Sequence, residues 1–248
     1  PDWSRGLGDV YKRQGMGNLC DAYGDHNRAL RYYQKIDAID HAIGSRSLRF
    51  RYKLYMLACY ISLQRIGAAT DLLSECEELS ILVSDKNLTG QIHLYRAKLL
   101  RLQKEYNKAL LAISQIQYAT GKQHTVWLST MVKIETAYCL NEVGHQSLSN
   151  LLLASTGKRI NEQASPLIAN RFYNAMSQVC ASQGLFKEAL NYEKKAFRVE
   201  SDLVKHIPIS ELGPAQLRRL SRFELQLKLI LSETVSYTHL TLPTIPGV

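Results

Sequence analysis

Apolar residues recur at spacings of three and four along most of this chain, and the recurrence itself repeats. Five segments align by eye: YGDHNRALRYYQKI, LQRIGAATDLLSEC, LQKEYNKALLAISQI, VGHQSLSNLLLAS and QGLFKEALNYEKKA. Each reads as a helix end, a short turn and the start of a second amphipathic helix. The small residue opening each second helix is Ala29, Ala69, Ala109, Ser149 or Ala189, a register of forty residues held throughout.

The physical demands of a helical hairpin explain these positions. Ala or Ser lets the second helix approach the first where a longer side chain would clash. Four residues on stand Tyr33, Leu73, Ile113, Leu153 and Glu193, and three further Ile36, Cys76, Ile116, Thr156 and Ala196. Those offsets share one helical face. Gly24, Gly144 and Gly184 suit the left-handed residue that ends a helix, and Gln64 and Lys104 take that place at greater conformational cost. Nine residues before each small residue lie Cys20, Tyr60, Leu100, Leu140 and Cys180, expected on the inner face of the first helix.

The pattern predicts helix pairs at about 15–23/26–42, 46–64/66–84, 88–103/106–119, 124–143/145–157 and 165–183/186–206. Ser165-Pro166 reads as an N-cap followed by a first-turn proline. His206 to Pro214 (HIPISELGP) is the clearest break, and a last helix without the hairpin motif is expected from Pro214. Its Leu217, Leu220, Leu227 and Leu231 fit a heptad seam. That helix could cap the fifth hairpin or pair with a second subunit, giving a route to dimerisation.

YGDHNRAL, QKEYNKAL and QGLFKEAL carry a resemblance to the tetratricopeptide repeat: a small residue opening helix B, an aromatic or aliphatic residue four on, and a Gly-Asp/Glu-aromatic turn. Repeats two and four are degenerate, and the period of forty exceeds the family's usual one, as in long repeats of bacterial signalling proteins. The resemblance implies an all-α, right-handed α-solenoid of five hairpins (15–44, 45–86, 87–122, 123–162, 163–206), then the break and C-terminal helix over 207–234. The two ends read differently. DVYKRQ and VSYTH can be encoded by one short DNA element facing inward from both termini, and with SRGLG and LTLPT outside them they resemble translated transposon-end sequencing adapter. Residues 1–14 and 235–248 are therefore expected to be non-native, and the parent protein to be longer.

Charge and cysteine usage narrow the function classes. The chain has 31 basic and 22 acidic residues, a moderate excess without the dense runs of a nucleic-acid tail. No apolar stretch is long enough to span a membrane. Cys20, Cys59, Cys76, Cys139 and Cys180 form no CxxC pair and are odd in number, so they read as buried small hydrophobes in a reducing compartment, the cytoplasm, with the periplasm as alternative. His26, His41, His93, His124, His145 and His206 are scattered, and no phosphate loop, dinucleotide fingerprint or nucleophile elbow is present. The expectation is no catalytic residue, no metal and no cofactor within this chain.

What remains is binding. Stacked hairpins present their first helices on a concave surface. Transferring the family's groove positions gives Arg51, Gln91, Lys98, Arg101, Tyr138, Asn141, Arg171, Asn174 and Gln178 as a candidate groove, polar with a basic bias. Asn18, Asp21, Leu54, Ala58, Ile61, Leu94, Ile134 and Ala181 fall on the same face. Arg, Lys and Asn there suit a carboxylate or the backbone of an acidic or amphipathic peptide; the plainer alternative is that Lys98 and Arg101 only solvate a helix. A base-reading code is absent, because equivalent positions run Asp21, Ile61, Arg101, Asn141 and Ala181. The expected function is a protein–protein interaction scaffold or sensory module of a larger bacterial signalling protein. The alternative is the regulatory region of a diguanylate cyclase (GGDEF protein) or histidine kinase whose catalytic domain lies outside this chain. A free-standing adaptor is a third possibility.

Overall fold

In the computed structural model the chain divides into two units, residues 1–206 and 207–248. The structure describes residues 2–22, 24–39, 45–83, 85–120, 125–162 and 165–204, with side chains described from Val10 onward. The break at His206 to Pro214, the last helix and the 235–248 tail lie outside the described residues. Ten helices and no strand occur among the described ones: α1 Asp2–Ala22, α2 His26–Asp37, α3 Arg46–Ser62, α4 Ile66–Leu82, α5 Lys86–Leu102, α6 Tyr106–Thr120, α7 Val126–Glu142, α8 Gln146–Gly157, α9 Pro166–Ser182 and α10 Phe186–Val204. The fold is all-α and repetitive. No described helix is long and apolar enough to cross a membrane.

The helices pair as α1–α2, α3–α4, α5–α6, α7–α8 and α9–α10, and each first helix also packs on the next first helix, α1 on α3, α3 on α5, α5 on α7 and α7 on α9. All five small residues, Ala29, Ala69, Ala109, Ser149 and Ala189, are buried, as close helix approach requires. Ser149 replaces Ala at no polar cost, because its Oγ–H donates to the Ala137 carbonyl at 2.8 Å. Ile36, Cys76, Ile116, Thr156 and Ala196 are buried as well. The position nine residues earlier is less uniform. Cys20 and Cys180 are buried, but Tyr60, Leu100 and Leu140 are only half-buried.

The five turns share one device. Gly24, Gly144 and Gly184 have φ of +76°, +90° and +77°, and Gln64 and Lys104 adopt the same left-handed region at +56° and +64°. The residue after each turn residue returns its N–H to the end of the first helix, as in Asp25 to Cys20 and Glu105 to Leu100, both 2.9 Å. Caps set several starts: Asp25 accepts from the Arg28 amide, Ser45 from Leu48, Asp85 from Asn87 and Leu88, and Thr125 from Leu128. Arg65 and His145, which begin the second helices of repeats two and four, make no side-chain cap. Ser165, the expected N-cap of α9, likewise makes no side-chain cap, although Pro166 does follow it in the first turn.

The first helix is longer than the apolar pattern predicts. It starts at Asp2 and runs unbroken through the stretch read as adapter, with Val10 and Gln14 buried. Three apolar clusters fill the space between the described helices, the smallest around Ala97, Ala109, Ile113 and Cys139. Of the larger two, one gathers Tyr33, Phe50, Tyr52 and Leu57, the other Leu94, Leu128, Leu153 and Phe172, and half-buried Trp127 packs against both. Each fully buried large side chain contributes about 1.5–3 kcal/mol, so the five-hairpin frame is rigid enough to hold side chains in fixed positions along the row of first helices.

Candidate functional site

Two concavities lie among the described residues on the row formed by α1, α3, α5, α7 and α9. The larger, about 330 Å³, is walled by Tyr33, Tyr55, Tyr95 and Trp127, with Lys98 and Arg171 as its cations and Asp21 as its anion. Helical spacing places these groups: Gln91, Tyr95 and Lys98 step along one side of α5 at offsets of four and three. Tyr33 and Tyr55 lie 5.7 Å apart, ring to ring, and the Tyr33 hydroxyl donates to Asn18 Oδ1 at 2.7 Å. Asn18, Ala58 and Ile61 also line this space.

Lys98 is half-buried, and its ammonium makes no hydrogen bond or ion pair among the described residues. Its nearest electron-rich neighbour is the Tyr95 ring, 5.7 Å from Nζ. Burial pushes its pKa down to about 8; Glu135 and Asp21 pull upward, while the positive fields of Arg171 and Arg101 add to the depression. Arg171 reaches Asp21 Oδ2 only at 3.9 Å. This wall therefore holds two cations and one carboxylate, Asp21, on a surface rich in aromatic rings.

Asp21 has closer partners on its other oxygen. Oδ1 accepts from His26 Nδ1 at 2.7 Å and from the Cys59 thiol at 3.8 Å. Burial raises the Asp21 carboxyl, yet the hydrogen bond and charge of His26, then Arg171 and the Cys59 bond, outweigh it and hold the carboxyl below its ordinary value. Burial, with the Asp21 charge adding to it, drives the Cys59 thiol well above the usual range. All five cysteines are free and buried. Among the described residues, Asp21, His26 and Cys59 are the group whose side chains converge at metal-ligand spacing. Thirty-eight residues separate Asp21 from Cys59 in the chain, so no local motif announces this cluster.

The second concavity, about 270 Å³, is lined by Arg101, Tyr138, Asn141 and Gln178 among others. Here most polar groups are already committed. The Arg101 Nε donates to Glu135, whose side chain is 2 % exposed, and its guanidinium stacks 4.8 Å over the Tyr138 ring. Burial opposes the Arg101 charge, but Glu135 more than restores it, so the guanidinium is held more firmly protonated than usual. Asn141 donates to Ser182 Oγ at 2.9 Å and accepts from Gln183 Nε2 at 2.8 Å, tying α7 to α9.

The sequence-derived groove residues therefore separate into groups. Gln91, Lys98 and Arg171 line the larger concavity, and Arg101, Tyr138, Asn141 and Gln178 the smaller. Arg51 and Asn174 line neither. The Asn174 amide donates within its own helix, to the Asn170 carbonyl and side chain at 2.9 and 3.0 Å. Leu54, Leu94 and Ile134 point into the core and are buried. Sequence reasoning passed over Glu135, Tyr55, Tyr95, Trp127, His26 and Cys59. Glu135 alone carried a signal, an acid within the apolar run MVKIETAYCL.

No protein-family model, no curated protein and no solved structure matches the chain.

Proposed function

We propose that this chain is a tetratricopeptide-type interaction scaffold that holds a protein or peptide segment along its row of first helices, with an acidic group of that segment seated between Lys98 and Arg171. The observation that carries the reading is Lys98: a half-buried lysine on an aromatic-walled cavity, whose ammonium meets the Tyr95 ring but makes no hydrogen bond or ion pair among the described residues. A desolvated cation without a counter-charge is unfavourable, and a carboxylate brought by a ligand relieves it through a charge-assisted hydrogen bond. Tyr55, Tyr95 and Trp127 offer flat apolar surface for the aliphatic or aromatic part of the same segment. The strict register of buried small residues supports the family reading, because it makes every hairpin present its first helix to the same side. The role that follows is that of an adaptor or sensory part of a larger signalling protein, recognising its ligand without transforming it.

Trp127 supplies the assay, since it is one of two tryptophans and lines the cavity. A library of amphipathic peptides is titrated in paired versions, Asp/Glu against Asn/Gln, following tryptophan emission. The acidic members bind and shift the emission, and Lys98→Met weakens them by about tenfold or more. Equal affinity for acidic and neutral versions, or unchanged affinity in a folded Lys98→Met variant, overturns the reading.

A further inference from the structure

The turn between α1 and α2 assembles three metal-ligating side chains from three helices. Asp21 sits in the last turn of α1, His26 opens α2 across the Gly24 turn, and Cys59 projects from α3. Asp21 Oδ1 lies 2.7 Å from His26 Nδ1 and 3.8 Å from Cys59 Sγ, and one donor atom from each residue lies within 4.8 Å of the other two. We propose that Asp21, His26 and Cys59 form a binding site for a divalent transition-metal ion, with zinc the best match to their ligand chemistry.

Geometry supports the assignment. Tetrahedral zinc with bonds of about 2.0–2.3 Å places its ligand atoms about 3.3–3.6 Å apart. The Asp21–Cys59 separation is already close to that. Asp21 and His26 need to part by about half an ångström, exchanging a hydrogen bond for two bonds to the ion. A thiolate and an imidazole beside one carboxylate select zinc or cobalt over magnesium or calcium, which prefer oxygen ligands. The two carboxylate oxygens have separate tasks: Oδ1 faces the other ligands, and Oδ2 faces Arg171 at 3.9 Å. Arg171 thereby orients the carboxylate from outside the ligand set, the usual job of an outer partner.

Charge and protons balance. His26 binds as a neutral imidazole: the proton that Nδ1 donates to Asp21 leaves to solvent from the doubly protonated ring, or is lost from Nδ1 while Nε2 takes one up from solvent, and the Cys59 thiol releases its proton to solvent as the metal–sulfur bond forms. Thiolate and carboxylate together neutralise the dication. Asp21 also lines the 330 Å³ cavity, which leaves a fourth coordination position for water or for a donor atom of the cavity's occupant.

Cobalt(II) alone tests the site, using the full chain, reduced and stripped with chelator. One equivalent should give a thiolate-to-cobalt charge-transfer band in the near ultraviolet, displaced by zinc. Cys59→Ser should abolish the band. His26→Gln, a half-exposed position that threatens folding less, should weaken cobalt affinity by at least tenfold. Cys76→Ser, in α4, should leave both band and affinity unchanged. Absence of the band in folded wild-type protein, or its persistence in Cys59→Ser, overturns the proposal and leaves the cluster a hydrogen-bond network. Full cobalt affinity in His26→Gln overturns the ligand set. None of these readouts involves a peptide, so they stand or fall independently of the groove reading.

Discussion

Arg101 joins the first helices α5 and α7 through the buried carboxylate of Glu135, while the face of its guanidinium covers the Tyr138 ring. Position and chemistry mark Arg101 as a groove cation, yet its charge already answers one inside the protein. Glu135, 2 % exposed at its side chain, would be an uncompensated buried charge without it. Arg101→Met should therefore lower stability by about 3–5 kcal/mol, the cost typical of breaking one side of a buried pair. The double variant Arg101→Met/Glu135→Leu should recover most of that loss. Urea midpoints of the two single variants and the double variant check this, and a near-neutral Arg101→Met contradicts it. Charge reversal at Arg101 is for the same reason a poor test of ligand binding, and Lys98 is the better one.

Lys98 predicts a pH dependence of its own. Its pKa in the folded chain is pushed down to about 8, below the ordinary lysine value near 10.4. The folded state binds fewer protons than the unfolded one between those limits, so this group destabilises the fold fully below pH 8, and the penalty fades as pH rises through the window. Binding of an anion has the opposite sign. Affinity for an acidic peptide should fall as pH rises through about 8, and Lys98→Met should flatten that limb. Isothermal titration at pH 7 and pH 9 measures both.

A second lysine behaves in reverse. Lys53 bridges Asp37 and Glu75 at 2.8 and 3.0 Å. Burial lowers its pKa, but the hydrogen bonds and charges of the two acids outweigh burial and hold it above the ordinary value. Its stabilising contribution is complete below the unfolded pKa and disappears as pH rises through the folded one. Both acids are over a third exposed, which limits the effect: Lys53→Met should cost about 1–2 kcal/mol at neutral pH. Thermal melts of the two proteins should converge as pH rises past the ordinary lysine value and through the raised pKa of Lys53.

The turns make a backbone prediction. Gln64 and Lys104 hold positive φ without being glycine, which costs about 1 kcal/mol each. Gln64→Gly and Lys104→Gly should each stabilise by about 0.5–1 kcal/mol once the glycine's greater unfolded-state freedom is subtracted. Gly144→Ala should destabilise by about 1 kcal/mol through conformation alone, because a Cβ there meets no atom within 4 Å. Denaturant midpoints decide, and a destabilised Lys104→Gly runs against the account.

Much of the frame was legible because its signals are local. A buried Ala or Ser at each hairpin, a left-handed residue at each turn and an apolar stripe at offsets of three and four follow from contacts within about forty residues. Predicted helix bounds agree with the observed ones to within a few residues from α3 onward. The beginning of α1 was missed because residues 2–14 were set aside on their coding pattern, which says nothing about whether a peptide can be helical.

The periodicity of apolar and small residues alone determined that this chain is all-α and repeats as hairpins, since helix pairing is decided by neighbours in sequence. Only the tertiary structure decided which polar side chains are committed. Arg101 meets Glu135 thirty-four residues away, Asn141 meets Ser182 and Gln183 in the next hairpin, and Asp21 gathers His26 and Cys59 from two further helices. Apart from Asp21–His26, which lies within the first hairpin, stacking one hairpin on the next creates those contacts, and stacking depends on the packing of whole helix faces. Lys98 lacks an ion pair among the described residues for the same reason: the Tyr95 ring, Arg171 and Arg101 come near it from this and other helices, the acids Glu135 and Asp21 act on it without pairing, and nothing in its local sequence foretells that.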